Sequence, residues 1–129
     1  MFGDKLLFGQ TKNRVDSNKR IFLPAKSGRE KGDVVFLLYD RDINEYKVFP
    51  YFVIESKFKK YDDLISSAKS SSELKEYKLI LNEFANSIIR SCIVDSQGRI
   101  ILSDDFVANE EITVIGSGNH LILKKKNDK

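Results

Sequence analysis

The chain has 129 residues, 41% of them hydrophobic and 32% charged, an ordinary globular composition that excludes a disordered tail or a fibrous protein. About two-thirds of the unfolded chain's surface can be buried at this length, so one domain, or two small halves sharing a core, can fold without staples. The longest apolar run, Val34 to Tyr39, is six residues, a strand length far short of the ~20 that a membrane-crossing helix needs.

Cys92 is the single cysteine. It leaves no internal disulfide and fits a reducing, cytoplasmic setting. The first ten residues hold a three-residue apolar stretch and no small-residue cleavage pattern, so no export signal is expected. The net charge of +3 is small but uneven. Residues 1 to 33 carry eight basic and four acidic side chains, the last six residues four and one, and the 90 between them ten and fourteen. Positive charge is therefore concentrated at the ends. The last six residues read most simply as a solvated, frayed terminus. The stretch from Lys12 to Lys31, with Arg14, Lys19 and Lys26 inside it, interleaves with a turn and a strand and reads as a binding surface.

The first element in chain order is Val15 to Leu23, Val-Asp-Ser-Asn-Lys-Arg-Ile-Phe-Leu. It returns at Val94 to Leu102 as Val-Asp-Ser-Gln-Gly-Arg-Ile-Ile-Leu, matching at six of nine places with an offset of 79 residues. A short polar linker follows each copy, and then a β-hairpin. The first hairpin is expected to pair Val34–Tyr39 with Tyr46–Phe49, the second Ile112–Ile115 with His120–Leu123. Two helices are expected between the copies. Pro50 suits a first helical position, and Ile54, Phe58, Tyr61, Ile65 and Ala68 mark one apolar face. Ser70 and Glu73 have capping-box spacing, and Leu74, Tyr77, Leu81, Phe84 and Ile88 mark a second face. Ile80 and Ile89 widen that face. Burial in the chain's own core is the expected reason, with contact to another subunit as the alternative. The aromatic residues of both helices read as packing.

The pattern predicts a mainly β fold with helices (α+β), a single domain over 1–129 built from two fused halves. Residues 1–50 form the first repeat, 51–90 a helical connection and 91–129 the second repeat, with strands of one half pairing with those of the other. Each copy places an aspartate four residues before an arginine, across a tight link between two β stretches. Asp16 and Asp95 can accept backbone N–H bonds or pair with Arg20 and Arg99, fixing the loop shape. One such pair would read as a local salt bridge. Duplication of the whole nonapeptide points instead to two equivalent arginines grasping a repeated partner, for which double-stranded DNA is the common choice. Asn13, Asn18 and Gln97 can add amide contacts to phosphates or base edges.

Nothing points to an enzyme. His120, the only histidine, stands at a strand start, and Cys92 lies among Ile and Val. They read as surface and core residues rather than as a base and a nucleophile. Gly116-Ser-Gly118 is too short for a phosphate loop and precedes a strand. No metal-ligand spacing is visible, so no metal, cofactor or small-molecule substrate is expected. The adjacent acid pairs Asp62-Asp63, Asp104-Asp105 and Glu110-Glu111 read as solvated surface.

Asp16-Ser-Asn-Lys-Arg20-Ile-Phe-Leu-Pro24-Ala25-Lys26 resembles the Asp-x-x-x-Arg motif and following strand of the MraZ family of bacterial transcription regulators, and Asp95-Ser-Gln-Gly-Arg99-Ile-Ile-Leu its second copy. Met1-Phe2, Tyr46 to Leu64 around Pro50, and Glu111 to Asn119 also stand where that family has them. The resemblance implies a swapped-hairpin, double-split β-barrel with two AbrB-like (SpoVT/AbrB) halves in one chain. It further implies a ring-like homo-oligomer that binds tandem DNA repeats on the nucleoid and regulates, usually represses, the division and cell-wall gene cluster. It makes Arg20 and Arg99 the DNA contacts and Asp16 and Asp95 the loop-shaping residues. The first copy carries Asn18-Lys19 where Lys-Gly is usual, and the second lacks the proline and adds Asp104-Asp105. The link from Leu102 to Ile112 leaves room for one helical turn. An AbrB-fold module that binds a protein, in the manner of an antitoxin, is the alternative.

Overall fold

Residues 1–126 are described by a computed structural model. The strands are β1 (Gln10–Arg14), β2 (Arg20–Phe22), β3 (Val34–Asp40), β4 (Glu45–Pro50), β5 (Ile88–Ile93), β6 (Arg99–Ile101), β7 (Glu111–Gly116) and β8 (Leu121–Lys125). Helices α1 (Tyr51–Ser66) and α2 (Ser71–Ser87) separate β4 from β5, giving a mixed α+β fold. Six strands form an antiparallel sheet in the order β1-β7-β8-β4-β3-β5, and β2 and β6 form a separate ribbon.

Both expected hairpins form, β3 with β4 and β7 with β8, and they join through Tyr46↔Leu123 to Val48↔Leu121. The leading strand of each copy then crosses over. β1 pairs with β7 (Gln10↔Ile115 to Arg14↔Glu111) and β5 with β3 (Val34↔Ile93 to Leu38↔Ile88). The valine before each aspartate is stitched the same way. Val15 N donates to the Glu110 carbonyl at 2.9 Å and its carbonyl accepts from Asn109 N at 2.7 Å, while Val94 exchanges bonds with Asp33 and Gly32, each of 2.8 Å. Neither half completes its own sheet, because β1 and β5 each find their backbone partner in the other copy's hairpin.

The main core draws equally on the two copies: Val15, Ile21 and Leu23 from the first meet Val94, Ile100 and Leu102 from the second, joined by Phe2, Phe106 and inward residues of the hairpins. A second cluster, Leu38, Phe49, Val53 and Ile54 with Phe58, Phe84 and Ile88 against it, seats the helices on the sheet. Phe84 meets Phe58 at 5.4 Å and Tyr61 at 5.7 Å between ring centroids, so these aromatics do pack.

Several local expectations change. Pro50 is the last residue of β4 and precedes α1 in extended conformation (φ −60°, ψ 150°), because it closes the register opposite Val35. Ser70 Oγ caps α2 through Glu73 N at 3.1 Å, but Glu73 turns its carboxylate to the Tyr77 hydroxyl instead of completing a capping box. The second helix stops at Ser87. Ile88 and Ile89, β-branched residues suited to a pleated edge, begin β5, so Ile89 belongs to a strand and the helical connection is shorter than 51–90. Ile80 and Ile89 stay partly in solvent, and α2 has no fully buried residue; core burial does not account for the wide stripe. The Leu102–Ile112 link forms turns rather than a helical turn. Lys124 and Lys125 are strand residues rather than a frayed end, and Lys125 Nζ lies 4.8 Å from the Phe106 ring centroid and 3.7 Å from Glu110. Residues 127–129 of that basic tail lie outside the described residues.

Candidate nucleic-acid interface

The two Asp-x-x-x-Arg links have the same geometry, bond for bond. Asp16 Oδ1 accepts from Asn18 N at 2.9 Å and Arg20 N at 2.8 Å, and Oδ2 accepts from Arg20 Nε at 2.8 Å. Asp95 repeats this with Gln97 N at 2.9 Å, Arg99 N at 2.8 Å and Arg99 Nε at 2.8 Å. Each carboxylate thus holds the turn and aims the arginine, a bond that uses one of the guanidinium's five N–H donors. Burial opposes the charge on Asp16, but the N–H donors of Arg20 and Asn18 and the Arg20 guanidinium outweigh it and hold this carboxyl below its ordinary range. The Arg99 backbone N–H leads the same effect on Asp95, followed against burial by Gln97 N and the Arg99 side chain.

The ribbon sets the two links side by side. Arg20 lies opposite Ile101 and Phe22 opposite Arg99, and two flanking bonds extend the pairing, Leu23 N to the Gly98 carbonyl at 2.9 Å and Leu102 N to the Lys19 carbonyl at 2.7 Å. Strand alternation buries Ile21 and Ile100 and puts Arg20, Phe22, Arg99 and Ile101 on the other face, where Phe22 and Ile101 are exposed and the Arg20 and Arg99 side chains are 26% and 18% exposed. The result is a small face with two guanidiniums and two apolar side chains. Arg99 sits 5.9 Å from the Phe22 ring centroid and 4.0 Å from Asp16 Oδ2.

The remaining candidates divide. Asn18 and Gln97 serve the loops through their backbone N–H groups and leave their side chains exposed. Asn13 Oδ1 accepts from Phe22 N at 3.2 Å and so ties β1 to the ribbon. Arg14 Nη1 donates to the Asn109 carbonyl at 2.7 Å, and Lys12 lies 3.7 Å from Glu111. Lys26 is exposed on the 3-10 turn Ala25–Ser27 after β2. Lys19 is engaged: its ammonium pairs with Asp104 at 2.7 Å and holds that carboxyl below its usual range. Asp62 and Asp63 are exposed as expected, while the other two acid pairs also hold cations. Asp104 binds Lys19, Glu110 accepts from Val107 N and meets Lys125, and Glu111 meets Lys126 at 3.3 Å as well as Lys12.

Two further arginines meet the ribbon: Arg29, inside the basic Lys12 to Lys31 stretch but not singled out in it, and Arg90, which lies outside it. Arg29 donates to the Leu23 carbonyl and lies over Gly98, while Arg90 reaches the Leu102 carbonyl at 3.4 Å from β5. They place a guanidinium on equivalent carbonyls at the two ends of the ribbon. The 79-residue offset does not relate them, so self-similarity could not find them. A count of basic residues around the repeat was the only available signal.

Cys92 is buried on β5, where loss of solvent pushes its thiol up to about 11 despite Arg90, the reverse of nucleophile activation. His120 is half-buried rather than a plain surface residue. It stacks on Phe49 at 4.7 Å, and burial together with Lys47 and Lys57 lowers its pKa. No group of three metal-binding side chains occurs among the described residues, and no helix there is long and apolar enough to cross a membrane. No protein-family model matches the chain, and no curated protein matches it.

Proposed function

We propose that this chain binds double-stranded DNA through the exposed face of the β2–β6 ribbon and acts as a transcription regulator, in the manner its resemblance to the MraZ family implies. One observation carries the reading: two bond-for-bond identical Asp-x-x-x-Arg loops present Arg20 and Arg99 on a single surface. Duplicated presentation suits a duplex, whose phosphates and base edges recur at fixed spacing. The crossed pairing of β1 with β7 and β5 with β3 supports a swapped-hairpin, double-split barrel of two AbrB-like halves.

Arg20 and Arg99 are balanced locally by Asp16 and Asp95, so a single chain offers few uncompensated cations and binds feebly. Loss of affinity with salt follows a log–log slope of about 0.9 per neutralised phosphate. A ring-like homo-oligomer overcomes this by raising the effective concentration of each later contact, with a gain of ~10² to 10⁴ on tandem repeats. Repeat spacing then selects the operator, and repression of the division and cell-wall cluster from the nucleoid is the regulatory outcome. Replacing Arg20 and Arg99 together by Ala should abolish gel shift of the DNA upstream of that cluster while size-exclusion chromatography shows assembly intact. Undiminished shift by the folded double variant would defeat the reading.

A second reading has its own observation. Phe22, Ile93 and Ile101 are 47%, 68% and 47% exposed, an apolar set on or beside the ribbon that a protein partner would cover. Failure of the chain to stay on DNA-cellulose even at low salt selects this protein-binding role.

A further inference from the structure

We propose that Asp104 is a built-in competitor for phosphate at the first loop, holding Lys19 until a DNA phosphate displaces it, so that the two loops of one chain grip unequally. The inference rests on the DNA-binding reading above and adds to it a residue that sets affinity.

The pairing is imposed by the fold. Leu102 N bonds the Lys19 carbonyl at 2.7 Å and so brings the start of the second linker against Lys19. Ser103 Oγ then donates to Asp105 Oδ2 at 2.9 Å, engaging that acid within the turn, while Asp104 reaches Lys19 Nζ at 2.7 Å. Arg90 contributes further attraction to the same carboxylate. The Asp104 side chain is nevertheless fully solvent-exposed, and that of Lys19 is 37% exposed. An ion pair in water is weak and exchanges readily, so phosphate can replace the carboxylate without local unfolding.

The other end of the ribbon lacks this device. The 79-residue offset puts Gly98 opposite Lys19 in the repeat and Ala25 opposite Asp104, so neither the lysine nor its acid is present. Both ends carry a guanidinium on a neutral carbonyl, Arg29 on that of Leu23 and Arg90 on that of Leu102, so the Lys19–Asp104 pair is what distinguishes them. Arg20 and Arg99 are held alike by Asp16 and Asp95, so the loops differ at Lys19, which meets phosphate only by exchange with Asp104.

Fluorescence anisotropy with a labelled mixed-sequence duplex at rising salt tests this. Asp104→Asn should tighten binding about two- to five-fold at low salt, the scale of an exposed ion pair. It should also steepen the salt dependence by the equivalent of about one phosphate. Asp105→Asn removes the same charge one residue away and should change affinity less, and in a Lys19→Ala background Asp104→Asn should give no gain. An equal gain from Asp105→Asn, or a gain that survives Lys19→Ala, would overturn the proposal by showing a general charge effect. Absence of DNA binding by the wild-type chain would instead overturn the function on which it rests.

Discussion

The Arg99 guanidinium of the second copy comes within 4.0 Å of the Asp16 carboxylate of the first, so the two loops are coupled through one acid. Asp16 receives Arg20 Nε at 2.8 Å and faces Arg99 as well, while Asp95 is bonded by Arg99. The symmetry of the repeat is thus broken at its centre. Asp16→Asn keeps an oxygen for the Asn18 and Arg20 N–H groups but removes the charge that both arginines face. In amide NMR spectra it should shift residues of both loops, 18–20 and 97–99, whereas Asp95→Asn should shift mainly 97–99. Equal and confined effects would show that the 4.0 Å approach carries no coupling.

Both loop aspartates titrate below their ordinary value of 3.8, which fixes the sign of a pH dependence. The folded chain binds fewer protons than the unfolded chain near that value, so unfolding free energy rises with pH there. The contribution is fully present above about pH 5 and is lost as pH falls through the folded-state values. Urea midpoints taken between about pH 6 and pH 2.5 should fall steadily on acidification, and the Asp16→Asn, Asp95→Asn double variant should fall less steeply.

Equivalent loop positions carry different residues under the same backbone demand. Lys19 has φ 59° and Gly98 has φ 80°, the left-handed region that a side chain enters at a cost of about 1–2 kcal/mol. At Gly98 an added Cβ would also meet the Arg29 guanidinium. Gly98→Ala should therefore destabilise by at least about 1–2 kcal/mol in chemical denaturation, while Lys19→Gly, which relieves the strain and loses one exposed ion pair, should not destabilise.

That contrast also marks what the sequence made legible. The repeat, both hairpins and one partly buried face of each helix could be read because each is local: a matched nonapeptide, an apolar run beside a turn, a three-four spacing. The Asp16 and Asp95 bonds could be anticipated because all their donors lie within four residues. The crossed pairing of β1 and β5 could be expected only in outline, since polar Gln10–Arg14 gives no alternation to read. Lys19 with Asp104, 85 residues apart, and Arg29 and Arg90 on equivalent carbonyls are set by the ribbon register. No spacing along the chain encodes them. The same holds for Ile88, which continues a helical stripe in sequence but meets Leu38 as a strand residue.

Packing and contact can be separated at two phenylalanines. Phe106 interrupts the polar linker after β6, is fully buried, meets Tyr46 edge-on at 4.7 Å and lies beneath Lys125 at 4.8 Å. Its counterpart in the repeat is Ser27, also buried, beside which Gly3 N bonds the Ser27 carbonyl at 2.8 Å and Phe2 enters the core. Phe106→Ala should cost about 3–5 kcal/mol by urea denaturation, since cavity formation adds to the lost transfer energy. Phe22 is nearly half exposed and touches the Arg99 guanidinium, so Phe22→Ala should cost only about 0.5–1 kcal/mol while weakening duplex binding in the same preparation. If Phe22→Ala leaves duplex binding unchanged, the apolar part of the ribbon face is not in the DNA contact, and the arginines act without it.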